Sequence, residues 1–243
     1  MHRFFVMPED FGEGTATIRG EDAVHIRRVL RMEKGERIIV CDGRGTDYDA
    51  VLEAVGETAL AKLEKGRPNA AEPPVNVTLF QGLAKGERMD YVVQKAVEYG
   101  VHTIVPVEMK RSVARLKEKD RKVQRWQRIA FEAAKQCGRG RVPEVQEGVA
   151  LKEALPAMAE LDLVVAAYEN EKRTSLKAVL RGHPQAVNIG LVVGPEGGLD
   201  EAEIKDLLAM GFAAASLGPR IFRTESAGPA ALAMILYERE MRP

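Results

Sequence analysis

Two glycine-rich segments in the C-terminal third hold the residue types best suited to chemistry. The first is Gly194-Pro-Glu-Gly-Gly198, entered from the apolar run Val187–Val193 and followed by Asp200 and Glu203, whose spacing suits a capped helix start. The second follows the run Ala213–Leu217 and includes Leu217, Gly218, Arg220, Ile221, Arg223, Glu225 and Ser226. Glycines at such turns let the backbone approach a ligand closely. The second segment also offers two arginines, Arg220 and Arg223, and the Glu225 carboxylate, each of which alone would equally be a solubilising surface charge. Neither segment reads G-x-G-x-x-G or forms a P-loop, so the two commonest nucleotide motifs are missing. Taken alone, each glycine cluster is equally a tight strand-to-helix turn, and Glu225 equally a helix-terminal carboxylate.

The elements around these segments decide whether they meet. From Val75 onward, strand and helix patterns alternate. Strands are expected at Val75–Leu83, Thr103–Val107, Leu161–Tyr168, Val187–Val193 and Ala213–Leu217. Helices are expected at Glu87–Tyr99, Asp120–Cys137, Leu151–Met158, Ser175–Arg181, Glu201–Met210 and Ala227–Glu240. That alternation implies a mostly parallel sheet covered on both faces. Ligands of such sheets bind beyond the carboxyl ends of the strands, so both glycine segments and a third strand end, Tyr168-Glu169, should share one crevice. Before Gly66 the elements are short and glycine-punctuated, with strands at Phe4–Val6, Thr15–Ile18, Arg37–Cys41, Asp47–Val55 and Leu60–Leu63. One helix, Asp22–Met32, interrupts them, with Val24, Val29 and Leu30 among its apolar positions. The pattern suggests a small closed or half-closed β-barrel. The proline-rich stretch Gly66–Pro74 reads as a linker, giving domains 1–70 and 75–243.

Composition narrows the function. The 243-residue chain has 36 basic and 36 acidic residues and is formally neutral. Within residues 108–141, however, 12 basic side chains face only 4 acidic ones. One basic segment on a neutral protein can bind a polyanion, although a solvated helix face would look the same. Cys41 and Cys137 are the only cysteines, which excludes a disulfide scaffold and fits a reducing, cytoplasmic setting. His2, His25, His102 and His183 lack ligand spacing, so no metal is expected. The longest apolar run, Ala230–Leu236, is too short to span a bilayer. The N-terminus reaches Pro8, Glu9 and Asp10 too soon for a signal peptide.

The two glycine segments together, Gly194–Gly198 and Leu217–Ser226, resemble the bacterial ribosomal RNA small subunit methyltransferase E family, the uridine-N3 methyltransferases of the SPOUT superfamily. Further similar stretches are Arg3-Phe-Phe5, His25–Met32, Gln81–Met89, Gln94–Val101, Arg111-Ser-Val113 and Ala133–Arg139. The resemblance runs in order along nearly the whole chain. Phe222 stands where the family often has leucine, and Ser226 where it often has threonine; neither change removes a charge or a glycine.

The resemblance implies a PUA-like RNA-binding barrel followed by an α/β domain with a deep trefoil knot. It implies S-adenosyl-L-methionine as cofactor, a homodimer, and N3 methylation of U1498 in 16S ribosomal RNA of the small subunit. It marks Tyr168, Glu169, Gly194, Pro195, Glu196, Gly197, Gly198, Leu217, Gly218, Ile221 and Arg223 as cofactor candidates. Glu225, Arg223, Arg220 and Arg139 become catalytic candidates, because uridine N3 needs its proton removed or its imidate stabilised. Arg3, His25, Arg27, Arg28, Arg31, Arg111, Arg115 and Lys117 are RNA-binding candidates. Substituting the basic segment should leave cofactor affinity nearly untouched, since the glycine segments lie elsewhere in sequence. The small residues of the last helix (Ala227, Ala230, Ala231, Ala233) and its apolar neighbours Leu232, Met234, Ile235 and Leu236 exceed what one core face needs, as a dimer helix would. Two alternatives stay open: a ribose 2′-O-methyltransferase of the same superfamily, and a non-enzymatic RNA-binding assembly factor.

Overall fold

A computed structural model of the chain describes residues 1–116 and 119–240, the side chains of 119 and 120 excepted. Two units emerge: Met1–Glu72 with Ala134–Val142, and Pro73–Ala133 with Pro143 onward. The return of Ala134–Val142 to the first unit corrects the expectation of a single division between residues 70 and 75.

The first unit is a six-stranded sheet ordered β1-β4-β5-β6-β3-β2. Its strands are β1 (Arg3–Phe5), β2 (Phe11–Gly12), β3 (Thr15–Ile18), β4 (Arg37–Cys41), β5 (Thr46–Val55) and β6 (Ala59–Pro68). All pairs are antiparallel except β1 with β4. Alternate residues Ile38 and Val40, Ala50 and Leu52, and Ala59 and Ala61 point inward, as the two-residue strand period requires, and meet Phe4, Ile18 and Ile26 in one core. β6 overruns the expected linker, because Gly66, Arg67 and Pro68 pair with Tyr48, Asp47 and Thr46. Gly66 is needed there: a Cβ would lie 2.8 Å from the Tyr48 ring. The expected helix 22–32 is instead a short α1 (Gly20–Val24) followed by a π-helical turn, His25–Val29. Ile26 carries its burial, and Val24 and Val29 face solvent, contrary to their expected apolar role. The turn ends on Arg31, a non-glycine residue with φ of 53°.

The second unit holds an all-parallel sheet ordered β10-β8-β7-β12-β11-β13, with β9 also on β8. These strands are β7 (Asn76–Gly82), β8 (Thr103–Glu108), β9 (Glu144–Val145), β10 (Val149–Ala150), β11 (Leu163–Ala167), β12 (Asn188–Val193) and β13 (Ala213–Ala215). Between them run α2 (Arg88–Glu98), α3 (Lys119–Cys137), α4 (Leu151–Ala159), α5 (Leu176–Gly182) and α6 (Glu201–Ala209), with α7 (Thr224–Glu240) last. Phe80, Val105, Val164, Ala166 and Val192 bury one face of the sheet against α4 and α6. α7 packs on α2 and α5 and against β7 and β12. The chain inserts β12 between β7 and β11, which makes a topological switch point at the centre of the sheet. α7 begins at Thr224, one turn before the expected start, and buries Ala227, Ala231, Leu232, Ile235 and Leu236 within the chain's own core. The apolar excess assigned to a dimer contact is therefore largely consumed at home; Ala230, Ala233, Met234 and Tyr237 remain wholly or partly exposed.

Two arginines with expected functional roles are structural in the first unit. Arg139, a catalytic candidate, has a side chain only 4% exposed and donates from Nη2 to Glu72 at 2.8 Å. The Glu72 carboxylate also accepts from the amides of Gly140 and Arg141 at 3.0 and 2.9 Å. Arg3, an RNA-binding candidate, pairs with Asp47 and donates to the Gly138 carbonyl. Burial raises the Glu72 pKa, but Arg139 and the two amides outweigh it and hold the carboxyl below its ordinary value of 4.5. A depressed folded pKa contributes stability above the unfolded value and loses it as pH falls through the folded one. Glu72→Gln is expected to cost about 3 kcal/mol near neutral pH by leaving Arg139 without its carboxylate. The variant's loss of stability on acidification below about pH 4.5 should also be shallower than the parent's, as read by urea unfolding at several pH values.

Candidate active site

Three loops leave the carboxyl ends of β11, β12 and β13 and enclose a cavity of about 530 Å³. The loop after β12 supplies Gly194 to Gly198, that after β11 supplies Tyr168 and Glu169, and that after β13 supplies Leu217, Gly218, Ile221 and Arg223. Every cofactor candidate therefore lines one space, together with Arg220 and Glu225. A cavity of this size and mixed lining suits a small organic ligand.

Glycine is required at three places around it. Gly198 has φ of +69°, and a Cβ there would run into the Glu169 carboxylate. A Cβ on Gly194 would lie 2.8 Å from the backbone of Gly198 and Leu199, so the turn closes only because both positions are bare. On β7, a Cβ at Gly82 would strike the backbone of Pro195, so this glycine lets the turn settle onto the neighbouring strand. The Gly198 amide donates to the Pro195 carbonyl at 2.9 Å. After the turn, Asp200 accepts from the Ala202 amide at 3.2 Å while Glu203 accepts from the Asp200 amide at 2.9 Å, the expected cap on α6.

The charged groups divide into engaged and free. Glu196 accepts from the Lys85 amide and from Arg88 Nη1, both at 2.9 Å. Burial pushes its carboxyl up, but those donors and its own amide win and leave the pKa below the usual glutamate value. Arg88 Nε also lies 3.9 Å from Glu225, in the first turn of α7. Arg220 and Arg223 are exposed on the cavity wall and form no ion pair among the described residues. Sequence reasoning missed Arg88, Lys172 and Thr224 as lining residues. Arg88 was within reach of that reasoning: the loop after β7 leaves the same edge of the sheet, next to β12.

The RNA-binding candidates scatter. His25, Arg27, Arg28 and Arg31 are exposed on the π-helical turn and beside it, without a carboxylate partner among the described residues. Arg115 pairs with Glu108 at 3.1 Å, and Lys117 lies outside the described residues. Arg111 donates to the Gly197 carbonyl at 3.2 Å and lies 3.3 Å from Asp200. It therefore braces the glycine turn, so distance in sequence does not separate the basic segment from that turn, the ground on which cofactor affinity was expected to stay nearly untouched.

Known proteins resemble the chain along nearly its whole length. A family model described as an RNA methyltransferase domain matches residues 71–236, and one described as an RNA methyltransferase PUA domain matches residues 18–64. The chain is 36% identical to ribosomal RNA small subunit methyltransferase E of Bacillus subtilis, over 93% of this chain and 91% of that protein. It is similar to a crystal structure of ribosomal RNA small subunit methyltransferase E from Neisseria gonorrhoeae bound to S-adenosyl methionine, with a TM-score of 0.83 and 34% identity over 97% of this chain and 96% of that one. A structure of a putative methyltransferase from Legionella pneumophila with bound cofactor SAM gives a TM-score of 0.79 and 30% identity, covering 96% of each chain.

Arg111→Ala removes one charge-assisted hydrogen bond from the turn. Exchange of the Gly198 amide should speed up about fivefold, the equivalent of about 1 kcal/mol, as measured by hydrogen–deuterium exchange. An unchanged Gly198 amide would mean that Arg111 does not brace the turn.

Proposed function

The chain belongs to the ribosomal RNA small subunit methyltransferase E family, and from that premise we propose that it transfers a methyl group from S-adenosyl-L-methionine to N3 of a uridine, U1498, in 16S ribosomal RNA. The observation that carries the reading is the shared cavity. The three strand-end loops converge there, and the glycines leave the backbone bare where a ligand must approach. Gly194–Gly198, Leu217, Gly218 and Ile221 would hold the cofactor, with Tyr168 and Glu169 across from them.

The bound cofactor supplies an electrophilic methyl on a sulfonium. The chain's task is then positioning and charge, as in any in-line displacement. A uridine imide is a poor nucleophile until N3 loses its proton. Glu225, on the cavity wall, is the proton acceptor, and the guanidinium groups of Arg220 and Arg223, in no ion pair among the described residues, stabilise the imidate oxygens. Arg139 takes no part, being bound to Glu72. Arg27, Arg28 and Arg31 of the first unit meet RNA phosphates, and the first unit, in the family's manner, is the RNA-binding PUA-like domain.

Two further family properties belong to the proposal. After β13, at one edge of the sheet, the chain returns to the seam between β7 and β12, where Thr224 bonds Gly194. That return past the ends of β11 and β12 supports a trefoil knot. The exposed residues Ala230, Ala233, Met234 and Tyr237 recur at helical spacing on α7 and support a homodimer built on that stripe. Ribosomal RNA as substrate makes the cytoplasm the compartment.

Nucleoside analysis of 16S RNA treated with the protein and adenosylmethionine should yield 3-methyluridine; a 2′-O-methyl nucleoside would overturn the regiochemistry. Glu225→Gln should slow single-turnover methylation about 10²-fold with cofactor affinity retained. A loss confined to about 1 kcal/mol of stability would assign Glu225 to the helix terminus alone.

A further inference from the structure

Next to the cavity lies a buried polar pair of which only one member lines it. Gln81, the penultimate residue of β7, is fully buried, and Thr224, the first residue of α7, is only 6% exposed. Thr224 Oγ1 lies 2.7 Å from the Gly194 carbonyl oxygen and 3.0 Å from Gln81 Nε2. A carbonyl can only accept, so the single hydroxyl hydrogen of Thr224 goes to Gly194. Toward Gln81 the hydroxyl can then only accept, so Gln81 must present its amide nitrogen. That nitrogen also donates to the Gly82 carbonyl at 3.1 Å. The direction of the whole chain of hydrogen bonds is thereby forced.

The forced orientation has a visible consequence. Gln81 Oε1 is buried with no hydrogen-bond partner among the described residues. α7 makes room for it with Gly228, where a Cβ would lie 3.1 Å from that oxygen. A glycine in a helix interior is unfavourable, and an unpaired buried oxygen is costly. Both are accepted at the point where the β12 turn meets the start of α7. Gly194 and Thr224 also line the cavity, and Thr224 stands between Arg223 and Glu225.

We propose that Gln81 and Thr224 are positioning residues for methyl transfer, forming a one-way hydrogen-bond relay that holds the Gly194–Gly198 turn against the start of α7. Neither needs to touch the substrate. Gln81 sets which way the Thr224 hydroxyl points, and Thr224 sets the distance between the glycine turn and the Arg223–Glu225 pair. The proposal rests on the reading of the cavity as the adenosylmethionine site.

The test compares four variants of the full chain by calorimetric titration with adenosylmethionine and by single-turnover methylation at saturating cofactor. Each is measured at a temperature where thermal melts show it folded. Thr224→Val removes the hydroxyl at constant shape and should weaken cofactor binding about tenfold, whereas Thr224→Ser should restore binding to within about threefold of the parent. Gln81→Met removes the donor but leaves Thr224 free to bond Gly194, so its affinity should be nearly independent of pH. Gln81→Glu introduces a carboxyl that can donate only while protonated. Its affinity should match or exceed that of Gln81→Met at pH 6 and fall at least about tenfold below it by pH 9, as the ionised group draws the Thr224 hydrogen away from Gly194. Thr224→Val binding and turning over like the parent, or the two Gln81 variants keeping one affinity ratio across pH, would overturn the relay. A parent protein that fails to bind adenosylmethionine would overturn the cavity reading instead, a result distinguishable from both.

Discussion

Thr224 sits where β7, the end of β12 and the start of α7 meet, and its hydroxyl is shared between Gln81 and the Gly194 carbonyl. Most of the site's geometry depends on that buried junction. The insertion of β12 between β7 and β11 brings three strand ends side by side. The long loop after β13 is held at its start by Ser216 against Thr174 and Leu176, and the tie through Thr224 fixes its far end where α7 begins. The bare backbone at Gly82 and Gly194 lets the turn pack tightly enough for the tie to form. Buried hydrogen bonds of this kind contribute modestly when made and cost more when broken, so they specify one arrangement more than they stabilise it.

The cations divide by what surrounds them. Arg3 and Arg139 are enclosed and paired with Asp47 and Glu72, so they serve the fold of the first unit. Arg111 and Arg88 are intermediate: each is partly exposed, and each ties the glycine turn to a neighbouring segment, through Gly197 and Asp200 or through Glu196. Arg220 and Arg223 have no carboxylate partner among the described residues, and nor do Arg27, Arg28 and Arg31. Their charge is therefore not already neutralised by a neighbouring carboxylate and is available to an anion. An enzyme that acts on RNA needs such cations, held on structures whose own charges are already balanced.

Much of the second unit was legible in the sequence because its signals are local. Apolar runs such as Val187–Val193 and Leu163–Ala167 announce buried parallel strands, and Gly194–Gly198 announces a turn that only glycine can make. The parallel-sheet rule then places three loops together without any knowledge of contacts. What escaped was non-local or partner-dependent. The return of Ala134–Val142 to the first unit has no compositional mark, because the helix α3 carries the chain across the division without a break. The π-helical turn at His25–Val29 escaped because Val24 and Val29 look like core residues until Ile26 takes the buried place. The roles of Arg3, Arg111 and Arg139 escaped because an arginine's identity does not reveal whether a carboxylate waits opposite it. Thr224 and Gln81 escaped for the same reason: their chemistry lies in a pairing across more than a hundred positions of sequence.

The loops after β11, β12 and β13 line one cavity, and a single cofactor held there must touch all three. Hydrogen–deuterium exchange of the intact protein, with and without saturating adenosylmethionine, tests it most directly. Protection should be gained in peptides covering residues 167–172, 194–199 and 216–225 together, with residues 1–72 unchanged. Binding established by titration, but with protection concentrated in residues 1–72 or in only one of the three loops, would contradict it.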